Sequence, residues 1–437
     1  MNARPITVIG GGLAGTEAAF QIASRGVPVR LYEMRPQTPT HVHRSDLLGE
    51  LVCSNSLKAD TLSSAHGLLK AEMRQLNSLA LRAADACRVP AGSALAVDRQ
   101  QFARYLTDAV CRHPGIELVR EEVMELPLDG LVVVASGPLT SAALTADIQR
   151  RVGAEQLYFY DALSPIVAAE SIDYSKTFFA SRYDRGDGQD YLNCALDRDL
   201  YEQLCEALCS AECVALHEVE RALFFEGCLP VEEMARRGPQ TLAFGPLKPV
   251  GLTPPDQPQP YAVVQLRLED RMRSAYNMVG FQTRLKYGEQ RRIFRTIPGL
   301  EQAVFLRLGS VHRNTFLNAP RLLLPTLQTR RDPNLLFAGQ ITGVEGYVES
   351  AATGLLAGLN AVALYRGAAP VVPPATSAHG ALVHYISGAC PDTFQPMNIN
   401  FGLLPALPTP VSRKRLRREA MIERALTDLR NWQQKVA

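Results

Sequence analysis

Charge of one sign is what this chain has least of: 46 basic residues face 44 acidic ones, a formal net charge of +2 across 437 residues. So weak a net field gives no global pull on a polyanion, and any nucleic-acid contact has to come from local basic patches. No run approaches the roughly 18 uncharged apolar residues that a membrane span requires. The opening MNARPITVIGGG has no uninterrupted apolar segment of the secretory kind. The expectation is an untargeted cytoplasmic protein with no membrane association. The nine cysteines include no Cys-x-x-Cys pair, which excludes the redox dithiol of disulfide reductases. Without a signal segment they read as free thiols in a reducing compartment. Metal-ligand spacing is missing too. Cys205, Cys209 and Cys213 recur at helical intervals, but three thiols without a nearby His or fourth Cys make a poor zinc site. They read as small apolar residues on one helix face, and no metal is expected. No obligate protein partner is inferred.

What is there centres on one stretch, Ile6 to Met34. Ile6-Thr7-Val8-Ile9 is a short apolar run ending at Gly10, Gly11 and Gly12; Leu13, Ala14 and Gly15 open a small-residue helical pattern, and a second apolar run closes on Glu33. The order is strand, phosphate loop, helix, strand. Gly10 turns the chain tightly, Gly12 lets backbone approach a pyrophosphate, and Gly15 brings helix against sheet. The helix N-terminus then faces phosphate with its unpaired N–H groups and its dipole. Gly26 supplies the helix stop. Glu33, about twenty residues on, is placed to accept a hydrogen bond from a ribose 2′-OH. This full context, rather than the glycines alone, predicts a bound dinucleotide.

The length allows two or three domains, and 46% hydrophobic content is ordinary for a globular protein. After Glu33 comes a polar loop with Pro36, Pro39, His41, His43 and Arg44, then Leu51 to Lys58, which places Cys53 ahead of Ser54, Asn55 and Ser56. Leu68 to Ala84 is apolar-periodic and predicts one helix, and Gln100 to Cys111 predicts another. Leu131 to Gly137 is a continuous apolar run ending at small residues, the mark of a strand buried on both faces of a parallel sheet. Ligands lie at the carboxyl ends of such strands, so Ser136 and Gly137 are a second candidate cofactor contact. From about Tyr158 to about Leu306 the style changes, with strand-like runs and a polar turn at Asp184 to Gly188, and an inserted α/β domain is expected there. The predicted domains are 1–157, 158–306 and 307–437. Leu335 to Gly339 and Gln340 return to the buried-strand pattern and lead into an Ala- and Gly-rich helix from Glu349. The run Arg413 to Arg418 opens a last helix, either a solvated face or a phosphate contact.

Seven blocks spanning nearly the whole chain together resemble one family: GGGLAGTEAA, LVCSNSLKAD, FFEGCLPVEEMARRG, GFQTRLKYGEQ, GSVHRNTFLN, GQITGVEGYVESAATGLLAGLNA and NINFGLLP. They are similar to those of the TrmFO family, the folate- and FAD-dependent tRNA (uracil-5-)-methyltransferases. The related MnmG family shares the flavin fold but shows no counterpart to FFEGCLP. The resemblance implies a Rossmann-like, glutathione-reductase-like FAD-binding domain interrupted by an insertion. It also implies methylation of the tRNA T-loop uridine conventionally numbered 54. Methylenetetrahydrofolate would give the carbon, reduced FAD the hydride, and NAD(P)H would regenerate the flavin. With no second Gly-x-Gly-x-x-Gly, a nicotinamide has no dinucleotide fold of its own and is expected to bind transiently at the flavin face. A ribosomal RNA uridine as target, or tRNA binding without turnover, stays open from the residues alone.

Uracil C5 is too weakly nucleophilic to attack a methylene iminium unaided, so a thiolate must first add at C6. Cys228 precedes Pro230, which reads as the first residue of a helix. A thiol just ahead of a helix N-terminus has a lowered pKa; Glu226 opposes this, and Arg236 and Arg237 offset it where they fold back. The resemblance makes Cys228 the nucleophile. It gives Cys53 a supporting part, as the base for the C5 proton or as a second thiol that traps an adduct. It places His312 over the pterin and brings Glu345 and Tyr347 to the cavity. The reacting base has to leave its stack, which calls for basic and aromatic groups around it. Arg284, Lys286 and Tyr287, with Arg291 and Arg292, are the candidates from the insertion, and Arg413 to Arg418 are a second set.

Overall fold

The computed structural model describes residues 4–40, 42–153, 156–182, 189–214, 229–255 and 257–436, without the side chains of 156–161, 312, 313 and 436. Five short strands rich in Val, Ile and Leu form a parallel sheet in the order Leu335–Phe337, Val132–Val134, Ile6–Ile9, Val29–Tyr32, Ile116–Val119. The chain starts in the middle, builds outward to Ile116–Val119, and then crosses to the other side of Ile6–Ile9. That reversal puts a topological switch point between Ile6–Ile9 and Val132–Val134, and ligands of open α/β sheets bind outside the carboxyl ends of the strands there. Those ends are Gly10 and the segment Ala135 to Gly137.

A second sheet of six strands is antiparallel, in the order Thr177–Phe179, Tyr191–Leu196, Ala262–Leu268, Ala275–Met278, Ile166–Ala168, Phe305–Arg307. Each sheet has its own apolar core. One core draws on residues between Ile6 and Val152 and between Phe316 and Ala425, the other on residues between Val167 and Ala303. The strands Gln156–Ala162 and Val311–Leu317 pair antiparallel along their length and form a two-stranded ribbon where the chain leaves and re-enters the first unit. The limits expected at 157/158 and 306/307 fall inside the strands Gln156–Ala162 and Phe305–Arg307, so we propose the ribbon itself as the boundary of the inserted unit.

Local chemistry adjusts several expectations. Leu68 to Ala84 is two helices, Ala65–Gln75 and Leu79–Ala86. Between them Asn77 takes a left-handed conformation (φ 59°), and the Ser78 hydroxyl accepts from Leu81 N–H as an N-cap. The periodicity bridged this break because both helices turn apolar faces to the same core. The carboxylate of Glu17, fully buried on the helix Leu13–Ala23, accepts from Leu79 N–H, Ala80 N–H and Ser78 Oγ, so it helps to cap the second of these helices from outside the pair. Pro230 is the N-cap of Val231–Arg236 rather than its first residue. Among the three cysteines at helical spacing, Cys205 is buried, Cys209 is exposed, and Cys213 lies beyond the end of Arg198–Ser210. They do not share one face, because the helix stops at Ser210. Among the described residues no group of three or more His, Cys, Asp or Glu is placed to hold a metal ion.

The Tyr347–Tyr365 helix is long and apolar enough to cross a membrane by composition, but it is mostly buried. Its glycines explain its composition: a Cβ on Gly354 would lie 2.2 Å from Ala14 O, and one on Gly358 2.8 Å from Ala18 O. Small residues let this helix press against Leu13–Ala23, so close packing accounts for the Ala- and Gly-rich pattern.

Candidate functional site

The three glycines of the Gly-x-Gly-x-x-Gly turn differ in what they face. Gly10 (φ 106°) donates from N–H to Tyr32 O at 2.8 Å, and a Cβ there would come within 2.4 Å of Ala135 O. A Cβ on Gly15 would come within 1.8 Å of Gly10 O. A Cβ on Gly12 would meet nothing within 4 Å. Two glycines are therefore demanded by the protein's own backbone, and the third opens onto space that the fold leaves clear. That space is a cleft of about 1060 Å³, open solvent included, lined by Gly10, Gly11, Gly12, Leu13, Ala14, Glu33, Ser136, Gly137, Gly339 and Gln340. All the expected cofactor residues except Gly15 line it, and Gly15 sits behind it as the packing residue.

Glu33 is buried, and its carboxylate accepts from Gly11 N–H at 2.9 Å and from Arg35 N–H and Nε at 3.0 and 2.8 Å. Burial alone would raise its pKa. The Arg35 guanidinium and the two backbone N–H groups outweigh burial and hold the carboxyl below its ordinary value. It is an ionised acceptor fixed at the mouth of the glycine turn.

Beside this cleft lies a second cavity of about 1190 Å³, bounded by both units and sharing Gln340 and Tyr347 with the first. Cys53 and Lys58 line it from the first unit, Arg267 and Asn277 from the inserted sheet, Gln282 from the segment after that sheet's strand Ala275–Met278, Glu345 from the approach to the Tyr347–Tyr365 helix and Glu349 from its first turn. The Cys53 loop is clamped from several directions. Tyr347 Oη accepts from Cys53 N–H at 2.7 Å and Ser54 N–H at 3.3 Å. Arg307 donates to Val52 O and Cys53 O, and Arg267 donates to Ser54 Oγ and Asn55 Oδ1. Arg99 binds Glu269 through two nitrogens and also donates to Leu51 O. Burial, with Cys53 charge adding to it, pushes the Tyr347 phenol well above its ordinary pKa. Burial and the nearby Arg99 charge bring Arg307 down to about 10. One face of this cavity is thus a loop that the inserted unit grips through guanidinium groups.

Two buried polar atoms in the cavity wall have no hydrogen-bond partner among the described residues: Asn277 Nδ2, a donor, and Glu349 Oε2, an acceptor. An unsatisfied buried polar group costs free energy that a bound polar ligand recovers. His66 Nε2 lies 3.6 Å from Glu349 Oε1, and burial holds its pKa down to about 4.

The structure separates the remaining expected site residues. Glu345 accepts from Gln340 Nε2 at 2.7 Å, between the two spaces. Arg284 is paired with Glu233, and Lys286 reaches Glu212 at 2.6 Å; neither lines the two cavities. Arg284 is half-buried against its acid, whereas the Lys286 pair stands exposed at the surface, and neither residue is brought to the cavities by the fold. Arg236 pairs with Glu233 and contacts Cys213 Sγ at 3.6 Å, so it stays with its own helix. Cys228, with Glu226, lies outside the described residues, as does the side chain of His312, whose backbone pairs with Asp161 in the ribbon. The turn at Asp184 to Gly188 lies outside them too. Of the last basic run, Arg413 to Arg417 are exposed at the start of Lys414–Val436. Arg418 stacks over Phe401 at 5.4 Å.

Sequence reasoning missed Lys58, Asn277, Glu349, Arg267 and Arg307. Asn277 stands as a polar residue in the buried strand Ala275–Met278, a signal that was available. The arginines gave none.

The glucose inhibited division protein A family matches residues 5–369. A methylenetetrahydrofolate–tRNA-(uracil-5-)-methyltransferase TrmFO of Geobacter sulfurreducens is 58% identical over 428 residues, 98% of each chain. The protein of that name from Geotalea daltonii is 56% identical over 434 residues, 99% of each chain. Among solved structures, Aquifex aeolicus GidA in its form I crystal superposes with a TM-score of 0.71 at 19% identity, covering 98% of this chain and 76% of that one. The form II crystal gives 0.69 at 18%, covering 98% and 73%. At that identity the likeness shows the fold.

Proposed function

The chain belongs to the TrmFO family of methylenetetrahydrofolate–tRNA-(uracil-5-)-methyltransferases, and we propose that it carries out that methylation in the cavity between its two units. The substrate is tRNA and the carbon donor methylenetetrahydrofolate. We take the target to be the T-loop uridine and the resident cofactor to be FAD.

The glycine cleft fits FAD on its own geometry. Gly12 leaves open the space a pyrophosphate would fill, the N-terminus of Leu13–Ala23 faces it, and ionised Glu33 stands where a ribose hydroxyl would donate. Ser136, Gly137, Gly339 and Gln340 complete the wall. Bound there, reduced FAD supplies the hydride that converts the transferred methylene to methyl, with NAD(P)H as its reductant.

The second cavity supplies the rest. Asn277 Nδ2 and Glu349 Oε2 are a donor and an acceptor in this wall left without a hydrogen-bond partner among the described residues, which supports binding of a polar heterocycle, folate or uracil, beside the cofactor. Lys58 adds a cation to the same wall. We assign Cys228 as the nucleophile: its thiolate adds to uracil C6, C5 takes the one-carbon unit, and loss of the C5 proton then releases the sulfur. Three observations support this. The chain just after it is tied to the cavity wall, because Val231 N–H donates to Gln282 O at 2.7 Å. Seven of the eight described cysteines lie outside the cavity lining, and the eighth, Cys53, is the one the resemblance gives a supporting part. Cys87, Cys194 and Cys205 are buried, and burial pushes the Cys194 thiol up to about 12, a poor nucleophile. Cys53 is held by its clamp within the cavity as base or second thiol. His312 we place over the pterin.

The unsatisfied pair in a cavity that opens onto the cofactor cleft is the observation that carries this reading. The test is formation of 5-methyluridine in a tRNA transcript supplied with methylenetetrahydrofolate and NAD(P)H. The expected product appears with the wild type and is lost with Cys228→Ala. A wild type that methylates a ribosomal fragment in clear preference to tRNA would overturn the substrate assignment.

A further inference from the structure

A third space, about 2330 Å³ of open cleft, runs between the two units on the other side of the Cys53 loop. It is continuous with the site: it shares Glu50 with the cofactor cleft and Val42 with the second cavity, and Leu51 and Arg307 form part of its wall. Its charges are unevenly used. Every acid in it is engaged by the protein. Glu269 is bound by Arg99, Asp98 accepts from Gln101 N–H and Arg271 N–H, Asp270 from Ser274, and Glu50 from Arg44 N–H, Ser45 and Arg35. By contrast, the guanidinium groups of Arg44, Arg104 and Arg291 make no hydrogen bond or ion pair among the described residues, and all three are exposed. They come from three separate segments of both units. Between them the rings and chains of Tyr287, Met272 and Leu306 stand open at 58%, 84% and 60%.

Uncompensated guanidinium groups beside an exposed aromatic ring suit a phosphodiester backbone with an unstacked base. Resting on the function proposed above, we propose that this cleft holds the RNA arm carrying the target uridine. Arg44, Arg104 and Arg291 lie on backbone phosphates, and Tyr287 stacks on a base displaced when the uridine is extruded toward Cys53. The Arg44 and Arg291 sides belong to different units, so the arm bridges them. Arg284 and Lys286, close to Tyr287 in sequence, do not line this cleft and are paired with Glu233 and Glu212.

The experiment measures binding of a labelled tRNA transcript to the FAD-loaded protein across a salt series, with flavin content and melting temperature as controls of folding. Arg44→Glu, Arg104→Glu and Arg291→Glu are each expected to weaken binding, and to flatten the log–log salt slope by about one for each phosphate that no longer meets a guanidinium. Tyr287→Ala is expected to weaken it by roughly 5- to 100-fold, with Tyr287→Phe restoring most of the affinity. Arg112→Glu changes net charge equally at the far end of the helix Arg99–Cys111, outside the cleft lining, and is expected to bind as the wild type does. If the three cleft variants bind no more weakly than Arg112→Glu while the wild type still methylates tRNA, the cleft assignment falls and the function stands. A folded, flavin-loaded wild type that fails to methylate tRNA would instead remove the function on which it rests.

Discussion

The Gly10–Gly15 turn presents its ligand with backbone from one continuous segment, whereas the cavity beside it draws Cys53 from a loop, Lys58 from the short strand Ser56–Ala59, Asn277 from a second sheet, Gln282 from the segment after it, and Glu349 from the helix Tyr347–Tyr365. Backbone constraint of the first kind is local and sterically absolute: Gly10 and Gly15 have no room for a methyl group. The second is distributed and rests on long-range polar contacts, so it tolerates partial loss. A region built from one segment fails all at once, and a region built from several fails in stages.

Substitutions at the glycines give the largest expected effect. Gly15→Ala forces a methyl into Gly10 O and should prevent the first unit from folding, at a cost above about 4 kcal/mol. Gly12→Ala meets nothing, and its backbone (φ −75°, ψ −168°) suits any residue, so the melting temperature of the cofactor-free protein should hold. Cofactor affinity should still fall by on the order of tenfold or more, read from the flavin-to-protein absorbance ratio. Equal behaviour of the two variants would break the distinction between glycines the fold needs and the glycine the ligand needs.

Next comes the grip on the Cys53 loop. Arg99→Ala strips the buried Glu269 carboxylate of its partner and Leu51 O of a donor, and should cost about 3 kcal/mol in a denaturant titration. Replacing both Arg99 and Glu269 with Met should recover much of that, because no unpaired charge remains. A single mutant as stable as the wild type would show that the two units do not depend on this contact.

A smaller effect is tied to pH. Burial keeps the His66 pKa near 4, below its unfolded value of 6.5, with Lys58 and Lys70 adding to burial and Glu349 opposing it. Between those two values the unfolded chain binds a proton that the folded one refuses, so stability falls as pH drops through that window. The loss should reach about 2 kcal/mol, less than the full shift implies because the side chain keeps some contact with water. His66→Gln should flatten unfolding free energy across this range, and an unchanged profile would contradict the burial. Least of all, Lys286→Ala should alter neither melting temperature nor the KM for tRNA, since its exposed amine serves only Glu212; a raised KM would return it to the RNA surface.

The same contrast decides what could be read beforehand. The glycine turn and Glu33 were legible because strand, turn and helix signals within some thirty residues specify them, and Ser136 and Gln340 because each follows a continuous buried-strand run. The parallel sheet was legible from runs such as Val132–Val134. The six-stranded sheet was recognisable as a change of style, but its antiparallel order was not, since pairings such as Ala275–Met278 with Ile166–Ala168 span more than a hundred residues of chain. Arg267 and Arg307 look like any surface cation in sequence, and only the fold buries them against the Cys53 loop. The ion pairs of Arg284 and Lys286 were hidden for a related reason: Glu233 and Glu212 are remote in the chain and next to them in space.

The measurement that tests the account most directly is a trap. A T-arm RNA carrying 5-fluorouridine, given to the folate- and NAD(P)H-supplied enzyme, offers no C5 proton to remove, so sulfur added at C6 stays bonded. Peptide mapping by mass spectrometry should find the nucleotide on Cys228 and no adduct with Cys228→Ala. Attachment at Cys53 in the wild type, or a Cys228→Ala protein that methylates at the wild-type rate, would contradict the cavity as described.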